Sequence, residues 1–434
     1  MGACLAGAVL CAAHAMAVPW APAAKSDDCP GFLPGVVAGT PTAPALVELS
    51  GLAASRSQPG VLWAHNDSGD SNRIFALRAD GTLLAALALD GATHVDWEDI
   101  AIGPGPVPGT DYLYVADVGN NLLSRTVLTI YRVAEPAVDP GQTEVTGTLT
   151  GVDALQVMYP NVFVTNHDCE TLWSDPANGD LYLVTKDTQA GQDGGMSLVH
   201  RFAAPHAPGP PVSLDLVASL NTGTGLLNLS TGGDLGPGDT GPILRTYSSA
   251  LHWPRQPGQS VTDALAAPPC VLPLTFDGQG EAIAWDHEGA GYFTTSEGLL
   301  FGGVPQPLRH YARRNLRADA AGPTDWHVLI GEPVTLAVSG TGGGPLGYQW
   351  YRGTPAKSAD PIPGADGAAY EIAAATFEDS GDYFCEVSDD DEVVNSPLFH
   401  VAVDAGLPVA RGLLPLAAAL LGLALLGARA IRTA

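Results

Sequence analysis

One recurring pattern in residues 45–312 constrains the fold more than any other feature of the chain. Each copy opens with a small or acidic pair and an apolar residue. It then passes through a Gly/Pro/Asp turn and returns as a strand ending in polar residues. The copies occupy 49–69, 97–121, 169–187, 232–247 and 280–298. Their aligned apolar residues are Leu52, Ile100, Leu172, Leu235 and Ile283, spaced 48, 72, 63 and 48 residues apart. Further strand-like runs lie between the copies, at 73–77, 127–132, 198–202 and 308–311. Short alternating runs bounded by turn residues read as β-strands, so each copy supplies three or four of them.

A four-stranded unit of about 40–50 residues cannot bury its faces alone and must stack on its neighbours. The expected architecture is all-β, a five- or six-bladed β-propeller over 45–312. The repeated hairpin favours a closed ring over an open array of sandwiches. The 52 Gly and 36 Pro in 434 residues agree with many short strands and turns. The 19 Lys+Arg against 46 Asp+Glu give a net charge of −27, which argues against nucleic-acid phosphates or anionic lipids as partners. A hydrophobic fraction of 46% is too high for a disordered acidic chain.

Both ends carry address signals. Residues 1–17 form a short apolar run closing on Ala15-Met16-Ala17, the small-x-small pattern of a signal-peptidase site. A Pro-rich linker is expected over 18–44. Residues 412–428 carry no charge and are followed by Arg429 and Arg432, so 407–432 reads as one C-terminal hydrophobic helix. That helix is either a membrane anchor or a processed sorting tail. The expected location is the cell envelope or surface. The exported chain retains Cys29, Cys169, Cys270 and Cys385, which allow three complete pairings. In a circular fold the segment before the first repeat adjoins the last one, which favours a Cys29–Cys270 bridge.

Residues 324–403 read as an immunoglobulin-like β-sandwich. Trp350 sits in Tyr348-Gln349-Trp350-Tyr351, and Tyr383 stands two residues before Cys385 in Asp379-Ser380-Gly381-Asp382-Tyr383-Phe384-Cys385. Val338 occupies the slot of the missing first cysteine. Cys385 is therefore expected as a buried thiol on Trp350.

Within each hairpin, the start of the first strand and the end of the second lie at the same end. Ring closure would bring these ends to one face. Glu98, Asp117, Glu170 and Glu281 are the expected metal ligands there. Asn66, Asp67, Asn120 and Lys186 are expected ligand-binding residues, and His65 or Glu297 a general base. Carboxylates this close require a cation or raise one another's pKa. Calcium suits them because it takes six to eight oxygen ligands in flexible geometry. For any single acid the alternative is structural: acceptance of backbone N–H bonds from the neighbouring blade. That alternative is strongest for Asp99 and Asp234, which hold the later slot.

Five phrases carry a resemblance: Trp63-Ala64-His65-Asn66-Asp67-Ser68-Gly69, Asp96-Trp97-Glu98-Asp99-Ile100-Ala101, Ala116-Asp117-Val118-Gly119-Asn120-Asn121, Ile130-Tyr131-Arg132-Val133-Ala134-Glu135-Pro136 and Gln279-Gly280-Glu281-Ala282-Ile283-Ala284. Together they resemble a family of secreted bacterial propeller proteins with no settled activity. More distantly the chain is similar to phytase-like esterase, lactonase and strictosidine-synthase-like propellers, several of which hold calcium at the axis. The fourth copy departs, with no Glu in its leading slot. Two functions follow as expectations. One is a surface protein that binds an unknown extracellular ligand at a calcium-loaded face, with the second domain as spacer or adhesion module. The other is a calcium-dependent hydrolase of phosphoesters or lactones on the same site.

Overall fold

The computed structural model describes residues 29–405 except 68, 164–165, 187–195, 224, 299–300, 315, 343–344, 356–358 and 390–391. The expected signal segment 1–17 and tail 407–432 lie outside the described residues. The chain is all-β and divides into two units, 1–313 and 314–434. Among the described residues, no helix is long and apolar enough to cross a membrane.

Among the described residues, the first unit contains five sheets. Their first strands are Leu49–Ala54, Trp97–Pro104, Asp168–Ser174, Ser230–Leu235 and Gly280–Trp285. Each continues antiparallel into the next strands of its own sheet. The five first strands touch one another in cyclic order, the fifth returning to the first, so the sheets close into a ring. First and second strands are almost wholly buried on both faces because each is sandwiched between neighbouring sheets. Outer strands such as Leu83–Leu89 recover a partly exposed pattern. Trp63, Trp97, Trp173 and Trp285 fill the gaps between sheets. The Trp173 indole donates to the carbonyl of Ile243, one sheet further on, at 3.1 Å.

Among the described residues the ring has five sheets, and the long second and third intervals of the repeat hold added edge strands and loops. Val145–Leu149 runs parallel to Leu83–Leu89, and Val212–Ser213 parallel to Asp153–Met158. The segment read as a linker supplies a strand of its own. Val36–Gly39 pairs antiparallel with Leu308–Ala312 and completes the fifth sheet. Cys29 and Cys270 are joined by a disulfide across a sequence separation of 241 residues, with Cα atoms 5.6 Å apart. The bond ties the start of the described chain to the outer strand of the fourth sheet. N-terminal residues thus close the ring both by hydrogen bonding and covalently.

The first pair of every sheet carries a bulge, at Ser50, Glu98, Glu170 and Thr231 and, in the fifth, over Glu281 and Ala282. The bulges correct the alignment of the fourth repeat. Gly233, not Leu235, is the counterpart of Leu52, Ile100 and Leu172, because it follows the bulge by two residues as they do. A bulge leaves one residue unpaired and re-aims its side chain. The ring therefore presents Ser, Glu, Glu, Thr and Glu at equivalent places. The hydroxyls point into the wall: Ser50 Oγ donates to the Glu98 carbonyl and Thr231 Oγ1 to the Gly280 carbonyl.

Asp99 and Asp234 serve the wall as well. Asp99 Oδ2 accepts the Leu172 N–H at 2.9 Å and the Gly233 N–H at 3.3 Å, while Oδ1 accepts that of Ile100. Asp234 accepts the N–H groups of Trp285 and Leu235.

The second unit pairs strands Arg317–Ala320, Val334–Thr341 and Ala369–Ile372 in one sheet and builds a larger sheet around Gly381–Ser388 and Gly347–Arg352. Trp350 lies opposite Cys385 in register, and both are fully buried. The Tyr383 hydroxyl donates to the carbonyl of Asp379 at 2.9 Å. Cys385 is a free buried thiol, and so is Cys169 in the first unit.

Asp99→Ala would strand backbone donors from three sheets in a dry interior, and each buried unpaired group costs about 1–3 kcal/mol. The expected loss is about 3 kcal/mol or more in urea denaturation. Asp99→Asn, which keeps an acceptor, should lose clearly less.

Candidate functional site

The re-aimed Glu98, Glu170 and Glu281 converge on the inside of the ring, each at most 5% exposed. Among the described residues, two sets of carboxylates have donor oxygens mutually within 4.8 Å: Asp67, Asp96 and Glu98, and Glu98, Asp168 and Glu170. Glu98 belongs to both. Gly119 makes room for the first set. A Cβ there would stand 2.0 Å from Glu98 Oε1 and 2.5 Å from Asp96 Oδ2. The glycine is required by close approach of the two acids, not by its backbone angle.

A lysine side chain enters this space. Lys186, at the end of the second strand of the third sheet, places Nζ 2.8 Å from Glu170 Oε1 and 5.5 Å from the centroid of the Tyr247 ring. The Tyr247 hydroxyl donates to Glu281 Oε1 at 3.4 Å. Glu281 is hydrogen-bonded to Glu297 through their side chains, and Gln279 Nε2 donates to Glu297 Oε2 at 3.0 Å.

The electrostatics follow from burial. Loss of water, then the charges of Glu170, Asp67 and Asp96, push the Glu98 carboxyl well above the usual range. Burial raises Glu170 likewise, against the pull of Lys186. Glu281 is pushed up to about 8, first by burial and then by Glu297. Glu297 is pushed up to about 7 by burial and by Asp67. Burial alone would weaken the Lys186 charge, but Glu170 and Glu281 hold its pKa above the ordinary lysine value.

Other expected site residues have structural duties. His65 is completely buried against Trp97, its Nδ1 is 2.7 Å from the Asn66 carbonyl, and burial lowers its pKa to about 4. Sealed from solvent and hard to protonate, the ring is badly placed to act as a general base. Asn66 spends its amide on the Ala45 carbonyl, Asp70 and the Glu48 N–H. Asn120 spends its side chain on Arg125 and the His167 carbonyl. Every side-chain polar atom of both residues already has a hydrogen-bond partner in the wall. Asp117 is not in either carboxylate set: its Oδ1 takes Arg125 Nη2 at 2.8 Å and the Asp96 N–H at 3.2 Å. Asp96, not Asp117, stands beside Glu98 in the first carboxylate set.

Asp96, Asp168, Gln279 and Tyr247 were missed in the sequence. Three of them share a signal: they stand two residues before the bulge residue, as Asp96-x-Glu98, Asp168-x-Glu170 and Gln279-x-Glu281. Two of these pairs, Asp96 with Glu98 and Asp168 with Glu170, each fall within one carboxylate set. Nothing local marks Tyr247.

No family model and no curated protein matches the chain. A solved chain from work on T cell specificity and activation by the bacterial superantigen toxic shock syndrome toxin-1 aligns over 21% of this chain and 100% of its own length. Identity is 17% and the TM-score 0.18, a likeness that carries no argument about fold or function.

A carboxyl protonated in the folded state and ionised in the unfolded state destabilises the fold as pH rises. For Glu281 the window runs from the ordinary 4.5 to about 8. Without added cations, stability should fall across that window. Glu281→Gln, which imitates the protonated acid, should flatten the decline in urea midpoints measured from pH 5 to 8.

Proposed function

We propose that the first unit is a five-bladed β-propeller holding a calcium ion in its acidic ring, and that the ion presents an open position to an extracellular ligand. One observation carries this reading: Glu98 is shared by two buried carboxylate sets. Such a concentration of negative charge in a dry interior calls for a cation. All the donors are oxygens, which favours calcium over zinc. In this reading Glu98, Asp96 and Asp67 are the ion's ligands, and Glu170 and Glu281 complete the field around it.

The second unit is read as an immunoglobulin-like domain, supported by the Trp350–Cys385 pair and the Tyr383 hydroxyl at Asp379. It would act as spacer or adhesion module. The Cys29–Cys270 bond fits an oxidising compartment, and so supports export. Anchorage through 407–432 belongs to the same proposal. A net charge of −27 keeps nucleic acid out of it.

A hydrolytic reading has one specific observation in its favour. Glu281 and Glu297 are hydrogen-bonded acids with pKa values of about 8 and about 7, so near neutral pH one can give a proton and the other take it. With a metal-activated water the pair would serve cleavage of a phosphoester or lactone. His65 has no part in it. Glu297→Gln would then abolish turnover of generic esters by calcium-loaded protein while calcium binding survives.

Calorimetric titration with calcium tests the main reading. The expectation is saturable binding with a Kd of about 10⁻³ M or tighter, as for extracellular calcium modules. Saturating ion should raise the melting temperature. Glu98→Gln should weaken binding at least tenfold with unchanged far-UV circular dichroism. Gly119→Ala, which drives a methyl into Glu98 and Asp96, should do the same. Wild-type protein that takes up no calcium would falsify the reading.

A further inference from the structure

The two carboxylate sets share Glu98 but differ in one respect. In the Asp67–Asp96–Glu98 set, Asp96 feels the charge of Arg125, which is itself paired with Asp117. The Glu98–Asp168–Glu170 set has the Lys186 ammonium at 2.8 Å from Glu170. That ammonium is held where an ion would be held. Its side chain is 11% exposed, carboxylates lie on one side and the Tyr247 ring on another. It also lies within electrostatic reach of Glu281 and Asp168.

Asp168 supplies an independent observation. The residue is 1% exposed. Its Oδ1 accepts the N–H groups of Asn120 and Cys169, while Oδ2 is buried with no hydrogen-bond partner. A buried carboxylate oxygen without a donor is costly and marks a place where a positive ligand would be favourable. Lysine, with a single charge on a tether, meets Glu170 but leaves that oxygen of Asp168 unsatisfied.

We infer that Lys186 is a built-in substitute for a second metal ion, and that removing its ammonium turns Glu98, Asp168 and Glu170 into a second divalent-cation site. The inference rests on the calcium reading for its setting, since it assigns the free ion to the Asp67–Asp96–Glu98 half of the ring. The consequence is functional. One half of the ring carries a positive charge at every calcium concentration, so only the other half responds to the ion. A tethered ammonium also has no exchangeable water, so it can attract a ligand's oxygen but cannot activate a water molecule. The site would bind one exchangeable ion and one fixed charge, about as far apart as two carboxylate sets that share a residue.

The test is the stoichiometry of terbium and calcium binding to the full chain, for wild type, Lys186→Met and Lys186→Arg. Wild type should bind one ion, Lys186→Met two, and Lys186→Arg one. Lys186→Met leaves Glu170 uncompensated, so its melting temperature should be depressed in chelator and restored by calcium. Lys186→Met combined with Glu170→Gln should return to one ion. If wild type and Lys186→Met each bind one ion, the lysine substitutes for nothing and the inference fails while the calcium reading stands. If wild type binds none and Lys186→Met binds one, the calcium reading fails and the inference stands. Two ions on wild type, none on either protein, or a Lys186→Met variant that calcium cannot refold would each overturn the inference.

Discussion

Carboxylates forced together without water are the constraint on which this structure turns. Glu98, Glu170 and Glu281 are the bulge residues of three sheets, and the ring cannot close without bringing them to its inside. Each would be more stable alone in water. The sheets are held together well enough to impose the cost. Four tryptophans fill the gaps between them, Asp99 and Asp234 bond backbone across the gaps, and the N-terminal strand and the Cys29–Cys270 bond fasten the ends.

The same interior divides its acids into two kinds by their partners. Asp99, Asp234 and Asp117 are saturated, by backbone N–H groups or by Arg125. Glu98 shares its space with other carboxylates, and Asp168 keeps one oxygen without a donor. Burial does not distinguish the two kinds, since all five are at most 2% exposed. What distinguishes them is whether donors from the wall meet their oxygens, and this depends on which way the backbone turns each side chain.

Several parts of this were legible in the chain. The all-β class, the five hairpins and the convergence of Glu98, Glu170 and Glu281 follow from one recurring phrase and from the need of each unit to stack on the next. The pairing of Trp350 with Cys385 was readable from spacing. Other parts were not. Leu235 looked like the counterpart of Leu52 because both are apolar, yet the bulge puts Gly233 there. Asn66 and Asn120 have the right chemistry for a ligand and stand at the right end of the hairpin. Their amides are consumed by loops far away in sequence. His65 also stands at that end of its hairpin, yet it is buried against Trp97.

The amino-acid sequence alone determined the repeat, the acidity and the residue types at each strand start, because periodicity and composition are local properties. Tertiary structure decided the number of sheets, the closure by Val36–Gly39 and the choice of Asp96 over Asp117 as neighbour of Glu98. It also placed Lys186 in the ring. The physical reason is that charge and hydrogen bonding act between atoms within a few ångströms, and only the closed ring says which distant residues come that near.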